Sequence, residues 1–328
     1  MTLSIGSITL SDPVILAPMS GVTDLPFRRL VKRMGAGLVV SEMIASQAMI
    51  RQNRETLRLV STVPEEFPMA VQLAGCEPEV MADAARLNQD RGAAIIDLNF
   101  GCPVKKVVNG FAGSALMRDE RLAARILETV VKAVSIPVTL KMRLGWDDAN
   151  RNAPAFARIA QQCGIRMITV HGRTRMQMYT GTADWAAVRP VVEAVPLPVV
   201  VNGDIADAAD ARRAMEQSGA AGVMVGRGAC GRPWRLAQII HDLRTGQPLP
   251  DPPLAEQLAV LLEHYEAMLS HYGIEHGLKV ARKHISWYTN GLPASADFRN
   301  EVNRIADPAA VRDRIRAFYG PLIERMAA

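Results

Sequence analysis

The chain has 328 residues, of which 49% are hydrophobic and 22% are charged, with a formal net charge of +5 and a pI of about 9.2. This length suits a barrel with a smaller second domain better than one ordinary core, and the composition excludes a disordered protein. The small basic excess permits an anionic partner but does not require one.

Cysteine usage and the N-terminus narrow the class of protein further. The four cysteines, Cys76, Cys102, Cys163 and Cys230, form no Cys-x-x-Cys pair and lie near no histidine at metal-ligand spacing, so neither a disulfide framework nor a metal site is predicted. The first residues do not form a signal peptide, and no apolar run reaches membrane-spanning length. We therefore expect a cytoplasmic, monomeric protein that does not associate with membranes.

Short apolar runs rich in β-branched residues recur between residues 14 and 225, separated by stretches with helical spacing. Each run is continuous rather than alternating, which is typical of strands buried on both faces of a parallel sheet. The predicted strands are Val14–Ala17, Leu38–Val40, Met69–Leu73, Ile95–Leu98, Val138–Met142, Met167–Val170, Val199–Val201 and Gly222–Val225.

The stretches between these strands predict helices, several of them followed by glycine, the common helix-ending residue. Eight strand-helix units in about 240 residues match the usual size of a TIM (β/α)8 barrel. Their even spacing favours this closed barrel over a doubly wound open sheet, which is the alternative. The predicted helices include Pro78–Gln89, Glu120–Val134, Pro154–Cys163 and Asp207–Ser218.

The C-terminal part of the chain has a different pattern. A helix near Trp234–Leu243 is followed by a proline-dense segment from Pro248 to Pro253, which blocks regular structure and acts as a stiff spacer. Beyond this segment, the pattern is that of helices broken near residues 273, 292 and 307, without a strand signal. We predict a barrel domain over residues 1–246, a linker over 247–253 and an all-helical domain over 254–328.

Polar or chemically useful residues follow almost every predicted strand. In a TIM barrel, the C-terminal ends of the strands build the active site. A single polar residue after a strand is an ordinary loop start, but this many at one rim predict a ligand site. The residues concerned are Pro18, Met19, Ser20, Glu42, Gln72, Asn99, Lys141, His171, Asn202, Gly226 and Arg227.

The loops after the last two strands have the composition of a phosphate site. Asn202, Gly203 and Asp204 follow strand seven, and Gly226 and Arg227 follow strand eight. Glycine lets backbone N–H groups approach an anion, and an arginine adds charge-assisted hydrogen bonds. The glycines at 226, 228 and 231 also spell G-x-G-x-x-G. They follow the last strand, and the acidic residue at the right distance lies in the proline linker, so a dinucleotide-binding fingerprint is excluded.

A lysine, a histidine and three cysteines also lie at or near the predicted rim. Lys141 ends an apolar strand, where its cation can stabilise negative charge on a cofactor ring, and His171 can face a phosphate or a substrate. Cys102 lies in a tight turn between a glycine and a proline, and an ordinary thiol can donate a proton at neutral pH. Cys76 and Cys230 also lie near the rim, so position alone does not choose among the three thiols.

Six segments together resemble the tRNA-dihydrouridine synthase family, most closely its bacterial B-type subfamily, over essentially the full length of the chain. Residues 99–103 read Asn-Phe-Gly-Cys-Pro, and Lys105, Lys106 and Val107 follow after one intervening residue, a combination that is close to diagnostic. The matching segments are residues 16–24, 71–75, 97–103, 141–143, 170–174 and 202–204.

The resemblance implies roles for individual residues. Cys102 would be the catalytic proton donor, and Asn99 and Arg143 would contact the target uracil. The residues that would hold a bound FMN are Pro18, Met19, Ser20, Gln72, Lys141, His171, Asn202, Gly203, Asp204, Gly226 and Arg227.

The resemblance also implies a reaction in two halves. NADPH would reduce FMN, and the reduced flavin would then deliver hydride to C6 of a tRNA uridine while Cys102 protonates C5 from the opposite side. A base locked in the folded tRNA cannot reach the mouth of a barrel, so the uridine is expected to turn out into the site. The subfamily implies a D-loop uridine, number 17, as the target.

Charge alone does not identify the surface that would bind RNA, because the predicted helical domain is neutral overall. Lys279, Arg282 and Lys283 share one helical face with Ser286, and we predict that this face contacts tRNA phosphates. A solvated helix edge is the alternative, and Trp287 is assigned to the aromatic core of the bundle. The resemblance adds further candidates for RNA contact, namely Arg173, Arg175, Lys105 and Lys106.

Two other functions remain open at the level of the sequence. An FMN-barrel oxidoreductase acting on free pyrimidines, like dihydroorotate dehydrogenase, would share the barrel and the flavin but would not need the helical tail. A non-enzymatic regulatory or RNA-binding protein would not need the polar residues at the strand ends. The colour of the purified protein separates the flavin enzymes from the last alternative.

Overall fold

The computed structural model of the protein describes residues 2–51 and 63–327. Met1 and Ala328, the outer limits of the predicted domains, lie outside the described residues. A short antiparallel hairpin of β1 (Leu3–Ile5) and β2 (Ile8–Leu10) precedes the barrel. The sequence patterns did not predict this hairpin.

Within the described residues, eight parallel strands close into a barrel, which confirms the predicted fold class. Neighbouring strands pair in chain order, and the first pairs with the last through Val14 and Val223. The barrel strands are β3 (Val14–Leu16), β4 (Leu38–Val40), β6 (Met69–Ala74), β7 (Ile95–Phe100), β8 (Val138–Arg143), β9 (Ile168–His171), β10 (Val199–Asn202) and β11 (Gly222–Val225). A further two-residue strand, β5 (Ile44–Ala45), continues the pairing of β4 with β6.

Helices between the strands surround the barrel, and the predicted ones are present. Local signals set their ends: Asp24 caps the first helix by accepting the Phe27 N–H at 3.0 Å, and Gly219 ends another with a φ of 70° that favours glycine. The helices are α1 (Leu25–Arg33), α2 (Ser46–Ile50), α3 (Pro78–Asp90), α4 (Lys105–Val108), α5 (Glu120–Ala133), α6 (Ala153–Gln162), α7 (Arg189–Ala194), α8 (Ala208–Ser218) and α9 (Arg235–Thr245). Short 3₁₀ turns lie at Pro64–Glu66, Gly113–Arg118, Ala186–Val188 and Arg227–Ala229.

The N-terminal hairpin fills one end of the barrel. Leu3, Ile5 and Leu10 are buried in one apolar cluster with residues at the N-terminal ends of the strands, including Ile95 and Met167. This cluster is separate from the larger core between the strands and their surrounding helices. The opposite end, where the strands finish, is therefore the end that can receive a ligand.

A helical bundle follows the barrel. Its core joins side chains from all four of its helices, including Leu261, Ile285, Phe298 and Tyr319. The helices are α10 (Leu254–Tyr272), α11 (Ile274–Tyr288), α12 (Ser295–Val302) and α13 (Pro308–Ala327). This core is distinct from that of the barrel but also includes Trp234, which precedes the predicted linker, so the boundaries at 246 and 254 stay a prediction. No helix in the described part of the chain is long and apolar enough to cross a membrane.

The bundle contacts the barrel beside the loop that follows β3. The Tyr272 hydroxyl donates to Asp24 at 2.9 Å, and the Lys283 ammonium donates to the Gly21 carbonyl. The Phe27 and His264 rings stack with their centroids 5.5 Å apart. These contacts place α10 and α11 at the C-terminal end of the barrel strands.

Candidate active site

A cavity of about 760 Å³ opens at the C-terminal end of the barrel strands. It lies where the polar strand ends predict a ligand site. Its lining includes every residue that the sequence proposed for FMN, the proposed proton donor and both proposed uracil contacts. These are Pro18, Met19, Ser20, Gln72, Asn99, Cys102, Lys141, Arg143, His171, Asn202, Gly203, Asp204, Gly226 and Arg227.

A chain of buried hydrogen bonds crosses the base of the cavity and ends at the turn that contains Cys102. Asp97 accepts from Thr139 Oγ1 at 2.6 Å and from Gln72 Nε2 at 2.7 Å. The Gln72 amide oxygen then accepts from Asn99 Nδ2 at 2.8 Å. The Asn99 oxygen in turn accepts the N–H of Cys102 at 2.8 Å and the N–H of the preceding glycine at 3.1 Å. The orientation of each amide is therefore set by its neighbour, and Asn99 holds the turn that carries the thiol.

The side chains around this network make the base of the cavity electropositive. Burial lowers the pKa of Lys141 to about 8, the nearby Arg143 adds to the effect, and Asp97 opposes it. The Lys141 ammonium has no hydrogen-bond partner among residues 2–51 and 63–327. Burial, helped by repulsion from Lys141 and Arg143, also lowers the pKa of His171 well below its usual value, so this ring is neutral at pH 7. An anionic group is the ligand that such surroundings would stabilise.

Asp97 is the acidic counterpart of this cluster. It is fully enclosed, and burial raises its pKa against the opposing effect of the hydrogen bonds from Thr139 and Gln72. The strand-end pattern does not include this residue because it lies inside the apolar run of β7. A charged residue in the middle of an otherwise apolar strand was the signal that could have identified it.

The loop after β10 is held by two arginines that share one carboxylate. Arg173 and Arg227 both pair with Asp204, with Arg227 Nη2 at 2.9 Å. Partial burial opposes ionisation of Asp204, but the hydrogen bonds from Arg173 and the Ala183 N–H, with the charge of Arg227, outweigh it and lower the pKa. Arg173 is 1% exposed and also lies 3.3 Å from His171 Nε2. Arg173 is therefore inaccessible to RNA in this structure, and it supports this loop from inside the protein.

Arg143 is also enclosed by protein. Its guanidinium donates to the carbonyls of Gly101 at 2.9 Å, Thr174 at 2.7 Å and Met178 at 2.8 Å, and burial lowers its pKa to about 10. The adjacent Tyr179 ring lies 5.5 Å from this guanidinium and lines the cavity. Arg143 thus remains charged at neutral pH and ties the turn before Cys102 to the loop after β9.

Glu42, which the strand-end pattern also selected, supports the loop after β3 from behind the cavity. Its carboxylate accepts the N–H of Gly21, whose carbonyl accepts from Lys283 on α11. Burial raises the pKa of Glu42, and the Gly21 N–H opposes the shift. Glu42 and Lys283 therefore hold opposite sides of the peptide segment that follows Pro18, Met19 and Ser20. Lys283 was predicted to contact RNA, but in this structure its ammonium bonds to the barrel.

The structure separates the three thiols. Cys102 and Cys230 line the cavity, whereas Cys76 does not. Burial raises the pKa of Cys230 to about 11, against the opposing charges of Lys283 and Arg227. Of these two cysteines, only Cys102 has a backbone N–H that donates to a side chain of the buried network, namely Asn99.

The remaining candidates for RNA contact lie outside the cavity lining. Lys279 is exposed and pairs with Glu275 at 2.8 Å, while Arg282 is half-buried on the same helix. Lys105 and Lys106 are exposed on α4, next to the turn of Cys102. Arg175 stacks over the ring of Trp146 at 4.8 Å.

Two aromatic residues of the cavity were not identified from the sequence. Tyr179 follows Met178, whose φ of 52° turns the loop after β9 so that the tyrosine lines the cavity. Trp287 was assigned to the core of the bundle, and this assignment is wrong. The residue is half-buried, is absent from the apolar cluster of the bundle and lines the cavity from α11. Its place beside Lys283 on α11 was the available signal.

Comparisons with known proteins identify the family to which the chain belongs. The family model described as dihydrouridine synthase matches residues 15–320. A probable tRNA-dihydrouridine synthase of Rickettsia bellii is 60% identical, covering 98% of this chain and 99% of that protein. The proteins named tRNA-dihydrouridine synthase B of Xanthomonas axonopodis pv. citri and Pseudomonas aeruginosa are 50% and 48% identical, covering 98% and 96% of this chain and 97% and 95% of their own lengths. These matches confirm the resemblance drawn from the motifs.

Proposed function

Because this chain belongs to the dihydrouridine synthase family, we propose that it reduces a tRNA uridine to 5,6-dihydrouridine, with FMN as bound cofactor and NADPH as the hydride source. The proposed target is the D-loop uridine 17, which the subfamily resemblance implies. The observation that carries the proposal is one cavity shared by a thiol, a lysine and the glycine-containing loops of the barrel rim, beside a helical bundle.

The lining of the cavity fits a flavin mononucleotide. The loops after β10 and β11 offer backbone N–H groups, Gly203, Gly226 and the Arg227 guanidinium for a phosphate. A side chain at Gly203 would approach the Ala183 Cβ to 2.7 Å, so glycine is needed here for the loop to pack against Ala183 and His171. The ammonium of Lys141 is available to a ring that gains negative charge. When bound, FMN would supply the hydride chemistry that protein side chains lack.

The proton is the contribution of the protein itself. The thiol of Cys102, in a turn fixed by Asn99, would donate its proton to C5 of the uracil, and Cys230 is the competing thiol in the cavity. Burial raises the pKa of Cys230 to about 11, which makes its thiol a poor proton donor and supports Cys102 as the donor. The bundle beside the cavity supports an RNA substrate over a free pyrimidine, for which a barrel alone would suffice.

The test uses single turnovers of the flavin-loaded enzyme. The enzyme is reduced with NADPH, unmodified tRNA is added without oxygen, and flavin reoxidation and the dihydrouridine formed are followed. Cys102→Ala is expected to retain its flavin and to slow the tRNA step about 10²–10⁴-fold, the usual loss for one general acid. Cys76→Ala, outside the cavity, is the control. A large loss in Cys230→Ala with little in Cys102→Ala would move the proton donor, and reduction of free uridine or orotate but not of tRNA would refute the proposed substrate.

A further inference from the structure

A second, smaller cavity of about 260 Å³ adjoins the large one. The two share Arg227, Cys230 and Trp287, and the smaller cavity adds Arg232 and Asn290. One wall comes from the loop after β11 and the other from the C-terminal end of α11. The smaller cavity is therefore a side chamber of the active site, formed where the barrel meets the bundle.

The two walls are held close together by a glycine. Gly231 has a φ of 72°, and a side chain at this position would lie 2.4 Å from the backbone of Trp287. Only a residue without a side chain allows this approach of loop and helix. The loop that contains Arg232 and the backbone of Trp287 are thus held close together by backbone packing.

The chemistry of the walls is that of a nucleotide site. The Arg232 guanidinium suits a phosphate, the indole face of Trp287 suits a stacked base, and the Asn290 amide suits the edge of a base. No carboxylate is among the residues of this lining, and the raised pKa of Cys230 keeps its thiol neutral. Among residues 2–51 and 63–327, neither the indole N–H of Trp287 nor the side-chain amide of Asn290 has a hydrogen-bond partner. Both groups remain available to a ligand.

The Arg232 guanidinium is positioned before any ligand arrives. Asp251 pairs with it at 2.9 Å and is itself held by hydrogen bonds from Trp234 and Gln238, each 3.0 Å long. A guanidinium has five donors, so one ion pair leaves others for a phosphate. Preorganisation of this kind lowers the cost of ordering a side chain on binding.

We propose that Arg232, Trp287 and Asn290 form a subsite for the RNA nucleotide that neighbours the target uridine, with its base on Trp287 and its phosphate at Arg232. This inference rests on the proposed function. An RNA strand with one base in the large cavity must place the adjoining nucleotide nearby, and the side chamber is continuous with that cavity. Its volume lies below the roughly 300–1,000 Å³ of pockets that enclose whole small-molecule ligands, so a single nucleotide suits it better than a dinucleotide such as NADPH.

The experiment measures binding of an unmodified tRNA transcript to the flavin-loaded enzyme at several salt concentrations. Trp287→Ala is expected to weaken binding about 5- to 150-fold, the usual range for one stacked base, while Trp287→Phe retains most of the affinity. Arg232→Ala is expected to weaken binding and to lower the slope of log affinity against log salt by about one unit. Arg212→Ala is the matched control, because Arg212 is similarly exposed (50% against 46%) and pairs with Asp242 at 2.8 Å away from the cavity.

Three results would overturn the subsite. The first is that every variant has the same tRNA affinity and the same salt slope as Arg212→Ala. The second is an equal loss in Trp287→Phe and Trp287→Ala with unchanged melting temperatures, which would exclude stacking. The third is a loss concentrated in flavin reduction by NADPH, which would assign the chamber to the dinucleotide. Because the readout is binding, failure of wild-type enzyme to form dihydrouridine would separately refute the proposed function.

Discussion

Replacing Asn99 with aspartate tests the directional network beneath the cavity. The substitution preserves shape, and the new carboxylate can still accept the N–H groups of Gly101 and Cys102. Its second oxygen, however, replaces the Nδ2 donor that lies 2.8 Å from the Gln72 amide oxygen. Rotating the Gln72 amide would only transfer the clash, because its oxygen would then face Asp97. One pair of buried oxygens is left facing each other in either arrangement.

The magnitude follows from the groups left unpaired. Loss of one buried hydrogen bond costs about 0.5–1.5 kcal/mol, and leaving a buried acceptor unsatisfied adds about 1–3 kcal/mol. We therefore expect Asn99→Asp to lower the free energy of unfolding by about 2–4 kcal/mol at pH 7. Protonation of the introduced carboxylate restores a donor, and burial raises the folded-state pKa of this group above its unfolded value of about 3.9. The deficit should consequently shrink as the pH falls through the folded-state pKa, and be smallest below about 3.9.

Urea unfolding across pH measures the deficit, and single-turnover reoxidation by tRNA measures the effect on the turn that carries Cys102. The matched control is Asn88→Asp, which also removes a buried amide donor, at 2.7 Å from the Ala84 carbonyl, but lies on α3 away from the cavity. Both variants should lose stability, whereas only Asn99→Asp should slow the tRNA step in folded enzyme. Wild-type stability and rate in Asn99→Asp would refute the directional network.

Three further predictions concern the charged groups. Lys141→Met should stabilise flavin-free protein at pH 7, because it removes a buried cation whose pKa of about 8 in the folded protein lies below its value of 10.5 in the unfolded chain. Urea unfolding should show that this gain in stability shrinks as the pH rises from 8 to 10.5, and a constant gain would contradict the assignment. Arg227→Ala should weaken FMN binding by about 1.5–3 kcal/mol, measured by flavin fluorescence on dilution. Arg213→Ala is the control because Arg213 is similarly exposed, and equal retention of FMN by the two variants would exclude a phosphate contact at Arg227. Lys279→Glu combined with Arg282→Glu should weaken tRNA binding and flatten its salt dependence without changing the FMN content; an unchanged salt slope would make this face a solvated helix edge.

The sequence by itself determined the barrel. Continuous apolar runs such as residues 138–142 predict strands buried on both faces, and the glycines after the helices mark where each unit ends. These signals are local, because burial on both faces and helix ending depend on residues adjacent in the chain. The motif around Cys102 likewise identified the family and the turn that presents the thiol. The hairpin that fills the barrel carried too short a pattern to be recognised.

Tertiary structure decided which polar groups face the cavity and which support it. Arg173 and Lys283 look like free cations in the sequence, but folding brings them to Asp204, 31 residues away, and to the Gly21 carbonyl, 262 residues away. Asp97 becomes the start of the network that holds Cys102 because β6, β7 and β8 lie side by side. Trp287 reaches the large cavity because Gly231 lets the bundle approach the barrel closely. Such pairings depend on closure of the barrel and docking of the bundle, for which the spacing of residues along the chain contains no signal.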